Sequence, residues 1–236
     1  MTAIGPVPTA PSGQAPHVRP AYRILGRAHA SVNGLFSAVE VLDANRRESN
    51  PSTKGRMSKV EVKVVRSAIV LTSAGLDAAM KRLVNDVGRV LASTPGTGAR
   101  RQFEEYLKTE LAKPKAEEPF RQAILSADVS TELMSAYLAA RTKASFQGSG
   151  DLKVRVRQAL GIPKSEVPDA DLVALDEFFT ARNKISHDMD LKEPGTDSVA
   201  REHRKPDVVA AQCKAVFEVG GTLIRAAAVA YRKAGK

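Results

Sequence analysis

Arg182, Asn183 and His187 stand within six consecutive positions, in the stretch Leu175-Asp176-Glu177-Phe178-Phe179-Thr180-Ala181-Arg182-Asn183-Lys184-Ile185-Ser186-His187-Asp188. Arginine keeps its charge at every accessible pH, and its planar guanidinium can stabilise negative charge developing on a phosphoryl oxygen. Histidine titrates near pH ~6.5 and can take or give a proton at neutrality. Asparagine can hydrogen-bond a substrate or hold an imidazole. At about 100° per residue, Asn183 and His187 are four apart and stack on one helix face, with Arg182 on the neighbouring edge. Such a set can cleave RNA without a metal, because the RNA 2′-hydroxyl supplies its own nucleophile.

Spacing alone is weak support. With twenty arginines and four histidines in 236 residues, an Arg-x4-His pair arises about a third of the time by chance, and an Arg-x4–6-His pair about once. A second match stands at Arg23-Ile24-Leu25-Gly26-Arg27-Ala28-His29. Apart from Arg27 its intervening residues, Ile24, Leu25, Gly26 and Ala28, are apolar or small, so it reads as part of a packing face. The structural alternative for His187 is a polar helix C-terminus, where the macrodipole favours His and Arg in any case.

The elements that must position this cluster are all expected to be helices. Residues 1–20 carry five prolines among Gly and Ser, and such a segment is expected to be disordered. From Tyr22, apolar residues recur at three- and four-residue steps as far as Leu42, which predicts an amphipathic helix. A longer helix begins near Ser58 and runs to about Leu91, apolar or small on every side from Ile69 to Leu76, as a central helix would be. Gly75 within it points to a close helix crossing, since glycine there costs about 1 kcal/mol against alanine. Thr94–Ala99 is a loop with no Gly-Lys-Ser/Thr after it, so it is no phosphate-binding loop. Helices are expected at 100–111, 120–125 and from a cap at Ser130. A further one at 152–161 carries Leu152, Val156 and Leu160 four apart. The motif helix opens after Pro168, with Asp169 and Asp171 suited to its N-terminus. Leu172, Leu175, Phe179 and Ile185 form its expected core stripe. A polar loop from Lys192 to Lys205 leads to a last long helix. The fold class is therefore all-α, with one domain over residues 21–236.

Composition sets the outer limits. Lys and Arg outnumber Asp and Glu by 36 to 26, a net charge of +10. That balance favours an acidic partner, nucleic acid above all, and says little about fold. Arg141 to Lys164 holds six basic residues against Asp151 alone, so Lys153, Arg155 and Arg157, with Lys184 beside the motif, are the candidate RNA-backbone contacts. One cysteine excludes an internal disulfide, and the four histidines offer no zinc-ligand spacing. No cofactor is expected. No secretory signal or ~20-residue apolar span is evident, so the expected location is cytoplasmic, with no membrane partner.

The stretch Leu175–His187 resembles the Arg-x4–6-His signature of the HEPN superfamily of small all-helical proteins. Arg66–Asp77 is similar to the apolar helix that stands earlier in those domains, with Asp77 where the RiboL-PSP-HEPN branch often has glutamate. Ser145–Gln147 through Leu160–Ile162 is similar to the segment before the motif helix in that branch. The resemblance implies a HEPN-like helical bundle with a long central helix and extra peripheral helices. It also implies a homodimer whose two motif helices share one composite active site. Many such proteins are metal-independent endoribonucleases acting as toxins or in phage defence, opposed by an antitoxin or inhibitor. Others are inactive and bind RNA, a nucleotide or a protein partner. With Arg182 and His187 both present, the resemblance favours the active kind.

Overall fold

The computed structural model describes residues 4–13, 15–50, 52 and 57–235. The chain is 72% helical and has no strand among the described residues, so it is all-α. A single turn at Pro16–Val18 leads into α1 (Arg19–Ser49), and α2 follows (Lys59–Leu83). A π-helical turn at Val84–Gly88 joins α2 to α3 (Arg89–Ser93). Then come α4 (Gly98–Ala112), α5 (Glu118–Ile124) and α6 (Val129–Thr142). A short α7 (Ser149–Asp151) continues into π-helical Leu152–Gln158. The chain closes with α8 (Asp169–Val173), α9 (Asp176–Asp188) and α10 (Pro206–Lys233). No helix among the described residues is long and apolar enough to cross a membrane.

The core sits where α1, α2 and α10 meet. Gly75 is required by the α1–α2 crossing, since a Cβ there would lie 2.2 Å from Ala28 Cβ. Gly220 lets α10 approach the same junction, within van der Waals reach of Leu76 and Leu25. His29 is part of this packing, buried and edge-on to Phe217 with centroids 5.1 Å apart, which explains why the second Arg–His match is not a site. At its start α2 is fixed by a reciprocal cap: Glu61 N–H donates to Ser58 Oγ and Ser58 N–H to Glu61 Oε2, satisfying two otherwise orphaned donors. Arg46 at the end of α1 donates to the same buried Glu61 at 3.0 Å, tying the two helices at their connection.

Three expectations change. The segment expected to be disordered packs over its described part: Ile4 is 1% exposed, Tyr22 Oη donates to Pro8 O, and Arg225 to Thr9 O. Prolines need few backbone partners, so a buried anchor and a few side-chain donors suffice to hold an extended run. Residues 1–3 and 14, part of the same expectation, lie outside the described residues. The α6 cap is Asp128, whose carboxylate accepts from Thr131 N–H, two residues ahead of Ser130. The motif helix does not run unbroken from Pro168, because Leu175 N–H bonds back to Leu172 O. That i→i+3 turn separates α8 from α9 and buries both leucines.

Candidate active site at the end of helix α9

Helix α9 is held at both ends. At its start, Asp176 accepts from Ser149 N–H and Ser149 Oγ at 3.1 and 3.0 Å. Asp176 and Glu177 also place negative charge where the helix dipole favours it. Phe178, Phe179 and Ala181 are buried, which fixes the rotation of the helix. Ile185, expected in the core stripe, is only partly buried.

That rotation decides what the motif can do. Arg182 is half-buried, and its Nη1 donates to Asn183 Oδ1 at 2.9 Å. Arg182 Nε is buried without a partner among the described residues. Asn183 and His187 share the outer face one turn apart, and His187 is exposed. Arg182 and His187 are five residues apart, about 140° round the helix. Within one chain the guanidinium therefore turns toward the core side and the imidazole toward solvent. The structure joins Arg182 to Asn183 and leaves His187 facing outward.

The end of α9 is unusual. Met189 and Asp190 both adopt left-handed backbone conformations, with φ of 51° and 61°. Asp190 N–H bonds to Lys184 O at 3.0 Å, satisfying one of the last carbonyls in the way a glycine cap normally does. Asp190 is fully buried. Its carboxylate accepts from Arg66 Nε at 2.7 Å and from Arg204 Nε and Nη2 at 3.0 and 2.5 Å. Arg66 also reaches Glu202 O at 3.0 Å. One carboxylate thereby pins α2, the end of α9 and the segment before α10. An antiparallel bridge between Leu191 and Arg201 closes the loop outside it. Sequence reasoning missed this centre. The available signal was an acid just past a helix C-terminus, where the dipole disfavours it unless cations are near.

The expected RNA-contact residues divide. Arg157 is corrected: it is 2% exposed and donates to Val167 O and Asp169 Oδ1 at 2.9 and 2.6 Å. It is an internal brace whose hydrogen bond, with that of Lys164, holds the Asp169 carboxyl below its usual range. Arg155 is corrected too. It donates to the carbonyls of Arg141, Ala144 and Ser145 and to Asp151, and lies over the Phe146 ring at 4.5 Å. It caps the end of α6, where carbonyls lack helical partners. Lys153 is half-buried and has no ion pair among the described residues. Lys184 Nζ lies 2.6 Å from Glu202 Oε1, and that hydrogen bond lowers the Glu202 pKa. Asp77 accepts from Phe146 N–H at 2.9 Å and pairs with Lys81, so it positions the segment before α7.

Three hollows surround the helix end, and none is lined by Arg182, Asn183 or His187. Among the described residues, no three His, Cys, Asp or Glu side chains stand close enough to hold a metal. Comparison with protein-family models, with curated proteins and with solved structures finds no match to this chain.

Proposed function

We propose that the chain is a metal-independent endoribonuclease of the HEPN kind, with a site completed by a second copy. The observation that carries this reading is the Arg182–Asn183 hydrogen bond with His187 exposed one turn further on the same helix. In the proposed reaction His187 removes the proton from an RNA 2′-hydroxyl as the oxygen attacks the adjacent phosphorus. Arg182 stabilises the charge on the phosphorane oxygens, and Asn183 holds the guanidinium in place. As the bond from phosphorus to the 5′-oxygen breaks, that oxygen takes a proton from water and protonated His187 returns its own to solvent, giving a 2′,3′-cyclic phosphate and a 5′-hydroxyl end.

The divergence of Arg182 and His187 on one helix is the reason for the second copy. A two-fold axis beside α9 would set the arginine of one protomer opposite the histidine of the other. The test is cleavage of RNA by purified protein in EDTA, with cyclic-phosphate ends identified on the products. Activity that survives Arg182→Ala together with His187→Ala sinks the assignment. Growth arrest on induction in a bacterial host, abolished by His187→Ala, would place the enzyme among toxins or defence effectors.

A second reading is a helical module that binds RNA, a nucleotide or a protein partner without cutting. It is favoured by the Asn183 amide oxygen being engaged by Arg182 and by His187 having no side-chain partner among the described residues. It predicts RNA binding with no products and no growth arrest.

A further inference from the structure

Two of the hollows at the end of α9 share part of their lining and differ in charge. One, about 500 Å³, is lined chiefly by Lys59, Lys63, Arg66, Arg201, His203 and Arg204, with the apolar Met57, Val62 and Val199 among them. The other, about 720 Å³, is lined chiefly by Leu35, Val70, Leu71, Ala74, Ile185 and Met189. Lys63, Arg66 and Arg201 line both. The apolar part is open to solvent, with Val70 38%, Leu71 36% and Met189 63% exposed.

The cations in this pair of hollows are of two kinds. Arg66 and Arg204 are both held by Asp190, which offsets one of their two charges, and they act as its walls. Lys59, Lys63 and Arg201 are exposed and, like the exposed His203 beside them, form no ion pair or side-chain hydrogen bond among the described residues. Lys59 and Lys63 project one turn apart from the start of α2. Arg201 and His203 come from the segment that Asp190 pins. Glu202, the acid on the rim, is already paired with Lys184. Uncommitted cations thus converge on one concavity from two elements whose relative position is fixed by a buried ion cluster.

We infer that this pair of hollows binds single-stranded RNA, with backbone phosphates on Lys59, Lys63, Arg201 and His203 and a base against the apolar ledge. Charge selects the phosphates. The ledge selects a single strand, because a duplex hides its base faces and would leave the apolar surface wet. No aromatic ring lines the ledge, so base contact there is apolar packing with little sequence preference. Ile185 and Met189 belong to the ledge, whereas His187 faces away from Ile185 by about 200° round the same helix. A strand held here reaches the motif by passing round the helix end at Met189–Asp190. The inference rests on the endoribonuclease reading only for its choice of RNA over other phosphate-bearing strands.

The test is fluorescence anisotropy with the full chain and a labelled 2′-O-methyl RNA ten-mer, which cannot be cut because its 2′-hydroxyls are blocked. The variants are the triple K59Q/K63Q/R201Q and a charge-matched control, R101Q/K108Q/K115Q, on exposed positions that line neither hollow. Each single-strand phosphate contact contributes about 0.7 to the slope of log affinity against log salt. The first triple is therefore expected to reduce that slope by about 2 and to bind roughly a hundredfold more weakly at 0.1 M salt. The control is expected to bind as the unsubstituted chain does. Melting curves that coincide keep folding out of the comparison. A first triple within threefold of the original affinity and slope overturns the inference, as does an equal loss in the control. ADP binding more tightly than the ten-mer overturns the strand in favour of a free nucleotide. Changed sedimentation of the first triple with unchanged RNA binding overturns it in favour of a second copy. Binding through the hollow with no cleavage of unmethylated RNA sinks the nuclease reading alone. Cleavage and binding both unaffected by the first triple sink the hollow alone.

Discussion

Replacing Asp190 by Asn tests the ion cluster on which the whole helix end depends. The substitution keeps the side chain's size and one acceptor but removes its charge. Arg66 and Arg204 then face each other across a buried centre, with side chains 11% and 15% exposed. Removing one partner from a buried ion pair costs about 3–5 kcal/mol, because the remaining charge is left uncompensated. Both arginines retain some contact with water and the amide oxygen still accepts one hydrogen bond, so the lower figure, about 3 kcal/mol, is expected. A chain of this length loses roughly 2–4 °C of melting temperature per kcal/mol, which gives a fall of about 6–12 °C. Global stability of the usual ~5–15 kcal/mol leaves the variant folded at room temperature.

The assay is thermal unfolding followed by circular dichroism, repeated at low and high salt. Salt screens the new Arg66–Arg204 repulsion, so the variant should recover part of its loss as ionic strength rises. Asp86→Asn is the comparison, since it breaks an exposed pair with Arg82 on one helix. That change should cost no more than about 0.5 kcal/mol. An Asp190→Asn protein melting within 2 °C of the original, or one indistinguishable from Asp86→Asn, would refute the claim that Asp190 pins the three elements (thresholds of about this size follow from the same scaling).

Mixing the inactive Arg182→Ala and His187→Ala proteins should restore about a quarter of the original cleavage rate: half the dimers formed at random are mixed, and each holds one intact site if Arg and His come from different protomers. Continued inactivity after subunit exchange means that both groups act from one chain. His29 should make stability fall with acid, because burial lowers its pKa below 6.5 against the opposing pull of the Gly5 and Pro6 backbone. The folded state resists protonating it, so its contribution is complete above 6.5 and is lost as pH falls toward the depressed value. His29→Gln should flatten the fall of the denaturation midpoint as pH drops below 6.5, and an unchanged slope there would contradict the assignment. Arg155→Ala should lower stability by about 2 kcal/mol through its lost charged hydrogen bonds while leaving the salt slope of RNA binding unchanged. A shallower slope would return Arg155 to the RNA surface.

The helices were legible because burial repeats every three or four residues wherever a helix lies on a core. Gly75 and the helix start near Ser58 could be read for the same reason, as local residue types that answer local requirements. The role of a basic side chain is not local. Arg155 and Arg157 belong to a segment with a strong positive excess, yet one closes the end of α6 and the other reaches Val167 and Asp169. Charge counted along the chain measures how many cations are present, not how many remain unneutralised after folding.

The same distinction orders the candidate site. Asn183 and His187 share a face as helix spacing requires, whereas the Arg182–Asn183 hydrogen bond joins adjacent residues that spacing alone does not bring together. The Arg66–Asp190 contact spans 124 residues, and no periodicity announces it. Yet this long-range pair has the larger consequence for binding. By drawing Arg66 and Arg204 onto Asp190, it fixes the walls of the hollow while leaving Lys59, Lys63 and Arg201 outside the cluster. A binding surface for phosphate requires cations that are held in place and not already neutralised. At the end of α9 the buried acid meets the first requirement using two arginines, and the three cations it does not reach meet the second.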